Sequence, residues 1–265
     1  MKVFICADIE GVTGVTTWDE TTKGNEGYNA AARQMTEEVI AACQGATMGG
    51  ATEIYVRDAH GDADNIDMDK LPEGVKCFRG WMNSEDTMIA GVDSSFDAII
   101  YIGFHSPAGS KESPLAHTVC HDSISLFKIN GEIASEFTFN VYNGEGYGVP
   151  SVFISGDLGI CNSAKELIGD IEVVPVKECV GESTLNISYK EAADRIREGV
   201  CKSLKKINIC HATMPDSFNM EISYKDIGSA RRAKLFPGAE LIDDFTVKYI
   251  AKDIKTMLIA KMFMI

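Results

Sequence analysis

Ala98-Ile99-Ile100-Tyr101-Ile102-Gly103-Phe104-His105 is a continuous apolar run that ends on an imidazole. A strand with one wet face alternates polar and apolar residues, and this run does not. It predicts a strand buried on both faces, as in a parallel sheet under helices. Lys2 to Ala7, Glu53-Ile54-Tyr55-Val56 and Ser151-Val152-Phe153-Ile154-Ser155-Gly156 read the same way. Between them lie helical segments. Tyr28 to Gly45 carries Ala31, Met35, Val39, Ile40 and Cys43 at steps of three and four, Ser84 to Ala90 is a short helix, and another surrounds Cys161 to Ile168. Strand and helix in alternation predict an α/β fold: three α/β/α layers around a mainly parallel sheet.

Two other stretches follow a different rule. Ser125 to Ile129 and Glu132 to Ala134 flank Asn130-Gly131, the dipeptide of a type I′ hairpin, and a helix follows from Ser135 to Tyr142. Beyond a helix from Glu191 to Lys205, Phe218 to Tyr224 alternates as a half-exposed strand. Asp226 to Phe236 is helical, Pro237-Gly238 turns, Thr246 to Ile250 is a strand and Asp253 to Phe263 a closing helix. This predicts a smaller α+β second domain. The expected division is 1–185 for the α/β domain and 186–265 for the smaller one, with the last helix free to pack back on the first.

Composition narrows the partners. The 265 residues include 25 Lys or Arg against 39 Asp or Glu, a net charge of −14. Such a surface repels phosphate backbones, and no basic run or basic helix face compensates. Nucleic acid and membrane are therefore excluded as expected partners. The first apolar run meets a charge at Asp8, too soon for a signal peptide, and no stretch of about 18 apolar residues occurs. The eight cysteines are scattered without a Cys-x-x-Cys pair, which suits reduced thiols and a cytoplasmic location.

The chemistry collects where strands end. The first strand runs into Asp8-Ile9-Glu10-Gly11, the second into Asp58-Ala59-His60-Gly61, the third into His105-Ser106. Open parallel sheets bind ligands beyond the carboxyl ends of their strands. Taken singly, each acid reads equally well as a helix cap or turn former, and each histidine as a loop residue. Taken together, several acids in one cleft repel one another unless a cation lies among them. Oxygen and nitrogen donors without thiolate suit zinc, manganese or iron(II).

These residues carry a resemblance. Asp8-Ile9-Glu10-Gly11-Val12-Thr13-Gly14, Asp58-Ala59-His60, Gly103-Phe104-His105, the loop of His117, Asn130-Gly131 with Glu136 after it, and Phe236-Pro237-Gly238-Ala239-Glu240 resemble the zinc-dependent D-aminopeptidases, peptidase family M55. The likeness follows the same order along nearly the whole chain. It implies two zinc ions per subunit, a short peptide substrate (D-residues included), attack by a hydroxide held between the ions, and a ring-stacked homodecamer. It implies Asp8 as the shared ligand, Glu10 and His105 completing one metal site, and His60 and Glu136 the other. His117 falls at the family's catalytic histidine. The segment from His117 to Asn130 is one residue longer than the family pattern, so His121 competes for that role. The loop from Val12 to Gly27 leaves substrate choice open. Two divalent ions would balance the three carboxylates and one hydroxide, leaving a neutral cluster.

Two rival readings remain at this level. A two-metal phosphoesterase or other amidohydrolase would want basic residues for phosphate, and only Arg57 and Arg79 lie near these segments. A metal-containing peptide-binding protein would use the acids for calcium, which two strand-end histidines do not suit.

Overall fold

The twelve strands and seven α-helices of the computed structural model, which describes all 265 residues, fall into two sheets and their flanking layers. The strands are β1 (Lys2–Ala7), β2 (Glu53–Asp58), β3 (Lys76–Phe78), β4 (Ala98–Phe104), β5 (Ile124–Ile129), β6 (Glu132–Ile133), β7 (Ser151–Asp157), β8 (Glu172–Val180), β9 (Ser183–Asn186), β10 (Phe218–Tyr224), β11 (Glu240–Leu241) and β12 (Thr246–Ala251). The helices are α1 (Trp18–Thr21), α2 (Tyr28–Met48), α3 (Glu136–Gly146), α4 (Leu158–Leu167), α5 (Tyr189–Ser203), α6 (Ile227–Ala233) and α7 (Ile254–Met264).

The larger sheet has the order β3-β2-β1-β4-β7-β8-β9, parallel throughout except for β9. β1 pairs with β2 on one side and β4 on the other, so the strand order reverses beside β1. That reversal opens a crevice at the carboxyl ends of β1 and β4. Ile99 of β4 meets Gly144 of α3, while Phe153, the register partner of Ile100, meets Gly199 of α5. Consecutive residues of a strand face opposite ways. Helices therefore cover both faces of the sheet, which is why all seven residues of β4 are buried.

The smaller sheet, β11-β12-β10-β5-β6, is antiparallel throughout. Asn130 and Gly131 both take positive φ (53° and 89°), as the β5–β6 hairpin requires. β5 pairs with β10 and β6 with β5, so this hairpin joins the second core although it precedes β7 in the chain. Conversely, Ala192, Ile196 and Val200 of α5 lie in the first core. The cores therefore do not part at the expected line after residue 185. Strand pairing across the long connection, rather than sequence proximity, sorts the segments. Helix α3 serves both, with Phe137 and Val141 in the first core and Phe139 in the second. The helix expected between Ser84 and Ala90 is reduced to a single 3₁₀ turn at Thr87–Ile89. No helix is long and apolar enough to cross a membrane.

Candidate metal centre

Backbone contacts set the crevice before any side chain enters it. The Asp8 N–H donates to the Ile102 carbonyl and the Gly11 N–H to that of Gly103, both at 2.8 Å. A Cβ on Gly11 would strike the Phe104 carbonyl, and one on Gly103 that of Asp8, so the chain crosses there only as glycine. Lys177 of β8, a buried lysine, donates to the carbonyls of Glu10, Val12 and Val15 and so holds the loop after β1. At the end of β2, Asp58 accepts from the Asn65 and Ile66 N–H groups (2.6 and 2.8 Å), and the Asn65 amide donates to the His60 carbonyl. Asp157 at the end of β7 accepts from the Ser106 N–H and hydroxyl (2.7 and 2.6 Å), which fixes the residue after His105.

Within this frame Asp8 lies centrally. Its Oδ1 is 3.2 Å from His60 Nδ1 and its Oδ2 is 3.5 Å from His105 Nε2. Glu10 Oε2 is 3.1 Å from His60 Nδ1; Glu136 Oε2 is 3.6 Å from His105 Nε2. The far nitrogen of each ring is already engaged. His60 Nε2 lies 2.8 Å from the Thr21 carbonyl, and His105 Nδ1 3.0 Å from that of Ser106. Carbonyls only accept, so those nitrogens carry the protons, and in a neutral ring the inward nitrogens carry lone pairs. Lone pairs and carboxylates then converge on the same two points. Glu10 Oε2 and His105 Nε2 are buried there without a hydrogen-bond partner. Asp8, Glu10 and His60 form one set of donor atoms that could hold an ion; His105, His117 and Glu136 form another. Asp8 reaches into both, and the donor set is the hard-to-borderline kind that zinc accepts.

The grouping corrects one expectation. Glu10 meets His60, and Glu136 meets His105, where the resemblance implied the reverse pairing. Lys177 holds the Glu10 carbonyl on the β8 side while the carboxylate reaches the end of β2. Helix α3 begins at Glu136, which it presents to the end of β4.

Within the cluster the imidazoles and carboxylates shift one another's titration. Burial alone would lower the His60 pKa, but Glu10 and Asp8 push it up to about 12. His105 is likewise raised against burial, by Glu136 and Asp8. Burial alone would raise the Asp8 and Glu136 carboxyls; the imidazoles bring both below the usual range.

The two candidate histidines of the connecting loop separate clearly. His117 is buried, lies flat on His105 (centroids 4.1 Å apart, 8° between planes) and places Nε2 3.7 Å from Glu136. Its Nδ1 is 2.9 Å from the Leu115 carbonyl. His121 is exposed at the rim, stacked on Trp18 at 4.1 Å. Val119 between them takes φ +66°, a strained value for a β-branched residue, and its N–H donates to Glu136 Oε1 at 2.6 Å. His211 pairs with Glu145 at 2.8 Å and does not line the cleft.

The cleft above the cluster measures about 560 Å³. Asp8, Glu10, His60, His117 and Glu136 line it, together with Trp18, Trp81, Phe139 and Lys261, none of which the sequence singled out for the site. Lys177, Asp58 and Asp157 were missed as supports. Their signal is visible in retrospect: Lys177 follows the run Val173 to Val176 inside a strand, and the other two are acids closing one.

A family model described as D-aminopeptidase matches residues 1–263. A protein named D-aminopeptidase from Bacillus subtilis (strain 168) is 28% identical over 256 residues, spanning 96% of this chain and 92% of its own. The solved structure of the Zn-dependent D-aminopeptidase DppA from Bacillus subtilis, a self-compartmentalizing protease, superposes with a TM-score of 0.93 at 26% identity. It covers 100% of this chain and 96% of its own.

Proposed function

This chain belongs to the D-aminopeptidase family of peptidases, and from that premise we propose that it is a two-zinc aminopeptidase that releases the N-terminal residue of short peptides. The observation that carries the reading is the convergence of buried, unpartnered donor atoms on two adjacent points, with Asp8 reaching both. Asp8, Glu10 and His60 would hold one ion; Asp8, His105 and Glu136 the other. Zinc is the metal on which the structural relative depends. Bound there, the ions would supply Lewis-acid polarisation of the scissile carbonyl and a water acidified to near neutral pH.

The protein's own groups do the rest. Asp8, Glu10 and Glu136 balance the cationic charge, and their acidity favours the free α-ammonium of a peptide entering the cleft. His117 is held by the Leu115 carbonyl with Nε2 turned to the cluster, so it can move a proton to the leaving amine. Trp18 closes one wall against His117 and His121. The eight cysteines are all unpaired, in keeping with a cytoplasmic location.

We extend the same reading to assembly as a homo-oligomer, a decamer by family likeness. Leu235, Ile250 and Phe263 are 78%, 62% and 74% exposed on the smaller unit, an apolar surface suited to a second copy. The relative is itself self-compartmentalizing.

The test is a panel of L- and D-dipeptides assayed with and without chelator. Chelator-sensitive release of a D-configured first residue is expected. Hydrolysis of phosphoesters instead, or peptide binding without turnover, would replace this reading by one of its rivals.

A further inference from the structure

Helix α7 carries an apolar stripe at Ile254, Met257, Leu258 and Met264, and Lys261 occupies the position in that stripe where another apolar residue belongs. The lysine is only 4% exposed, yet it lines the cleft. No carboxylate of the chain pairs with it; its Nζ lies 4.9 Å from the centre of the Phe139 ring. The other lysine of the cleft, Lys23, is by contrast paired with Asp64. A buried ammonium without a counter-ion is costly, and packing alone would have favoured methionine or leucine here. Burial pulls its pKa down to about 8, against the pull of Glu136.

Resting on the proposed aminopeptidase reading, we propose that Lys261 receives the free C-terminal carboxylate of the substrate and thereby selects dipeptides. Phe139, under the ammonium, follows Glu136 by three residues on α3. Both residues line the cleft, about one helical turn apart along α3. A peptide whose first carbonyl sits at the cluster runs along this cleft, and in a dipeptide the carboxylate is the next charged group to meet Lys261. Longer chains would have to drive an uncharged amide past the ammonium.

The zinc-loaded enzyme should be assayed on D-alanyl-D-alanine, on its C-terminal amide, and on D-alanyl-D-glutamate amidated at the α-carboxyl. A charge-assisted contact gives an expected preference of about 10- to 100-fold in kcat/KM for the free dipeptide over its amide, mainly through KM. Lys261→Met should bring that ratio near one, and Lys261→Arg should restore most of it. Zinc content and Tm of each variant report folding separately. Equal wild-type rates on acid and amide, or a preference that survives in Lys261→Met, would overturn the proposal while leaving the aminopeptidase reading intact. A Lys261-dependent preference confined to the glutamate probe would overturn the assignment to the chain terminus. If the loaded enzyme cleaves none of the probes, both readings fall.

Discussion

β4 and β10 each run seven residues through the middle of a sheet, yet they obey opposite rules. β4 is buried at every position; β10 alternates buried and half-buried from Phe218 to Tyr224. Helices lie on both faces of β4, so its only outlet is its carboxyl end, where His105 stands. β10 has one face on the second core and one toward solvent, and no member of the donor cluster follows it. The difference teaches where reactive groups can go. A doubly covered parallel sheet gathers them at strand tips. An antiparallel sheet with a wet face contributes an outer surface, and walls only through the helices packed with it, Phe139 of α3 and Lys261 of α7.

Removing the shared tip residue breaks that division most severely. Asp8→Ala should abolish turnover and take zinc from two per subunit toward none, because both donor sets lose a member; elemental analysis of the purified variant checks it. Next comes the loop. His117→Ala should retain zinc while turnover falls by about 10² to 10⁴, the scale of lost proton transfer. His121→Ala, at the rim, should cost less than about 10-fold. A crippled His121→Ala beside an active His117→Ala would reverse the assignment.

The strand contrast itself is testable by stability. Ile100→Ala in β4 should cost about 2–5 kcal/mol in chemical unfolding, as for a fully buried side chain without room to relax. Glu221→Ala, on the half-buried face of β10, should cost about 0.5 kcal/mol or less. Similar losses at both positions would show that the two sheets are not covered as described.

Much of this was legible because β1 and β4 are unbroken apolar runs that end in chemistry, and Asn130-Gly131 specifies its hairpin locally. β8 was missed because Pro175 and Lys177 interrupt its apolar pattern, and Lys177 makes sense only once the loop it holds is seen. The pairing of Glu10 with His60 was hidden for a related reason. Asp8 and Glu10 follow β1 only two residues apart, but the neighbour each one meets depends on strand order and on where Glu136 enters from α3. Lys261 was illegible because the helical pattern shows a charge out of place without showing the cleft it faces.

A smaller effect follows from the titration of the cluster. Imidazoles with raised folded pKa values stabilise the fold while protonated. In the metal-stripped protein the His60 contribution is fully present below pH 6.5 and is lost as pH climbs toward about 12. Its Tm should therefore fall by about a few degrees between pH 6.5 and 9. The zinc-loaded protein should gain over the same window, since metal and protons compete for the same lone pairs. Parallel slopes for the two forms would mean that the donor atoms are not metal ligands.

The most direct measurement is a titration of zinc into the stripped protein, with bound metal and hydrolysis of D-alanyl-D-alanine followed together. Bound zinc is expected to reach two per subunit, and turnover, absent at the start, to rise with it and level off there. The Asp8→Asn protein should do neither. Full turnover before any zinc is added, or saturation of activity with no metal retained at the carboxyl edge of the sheet, would contradict the assignment of this cluster as a two-metal hydrolytic centre.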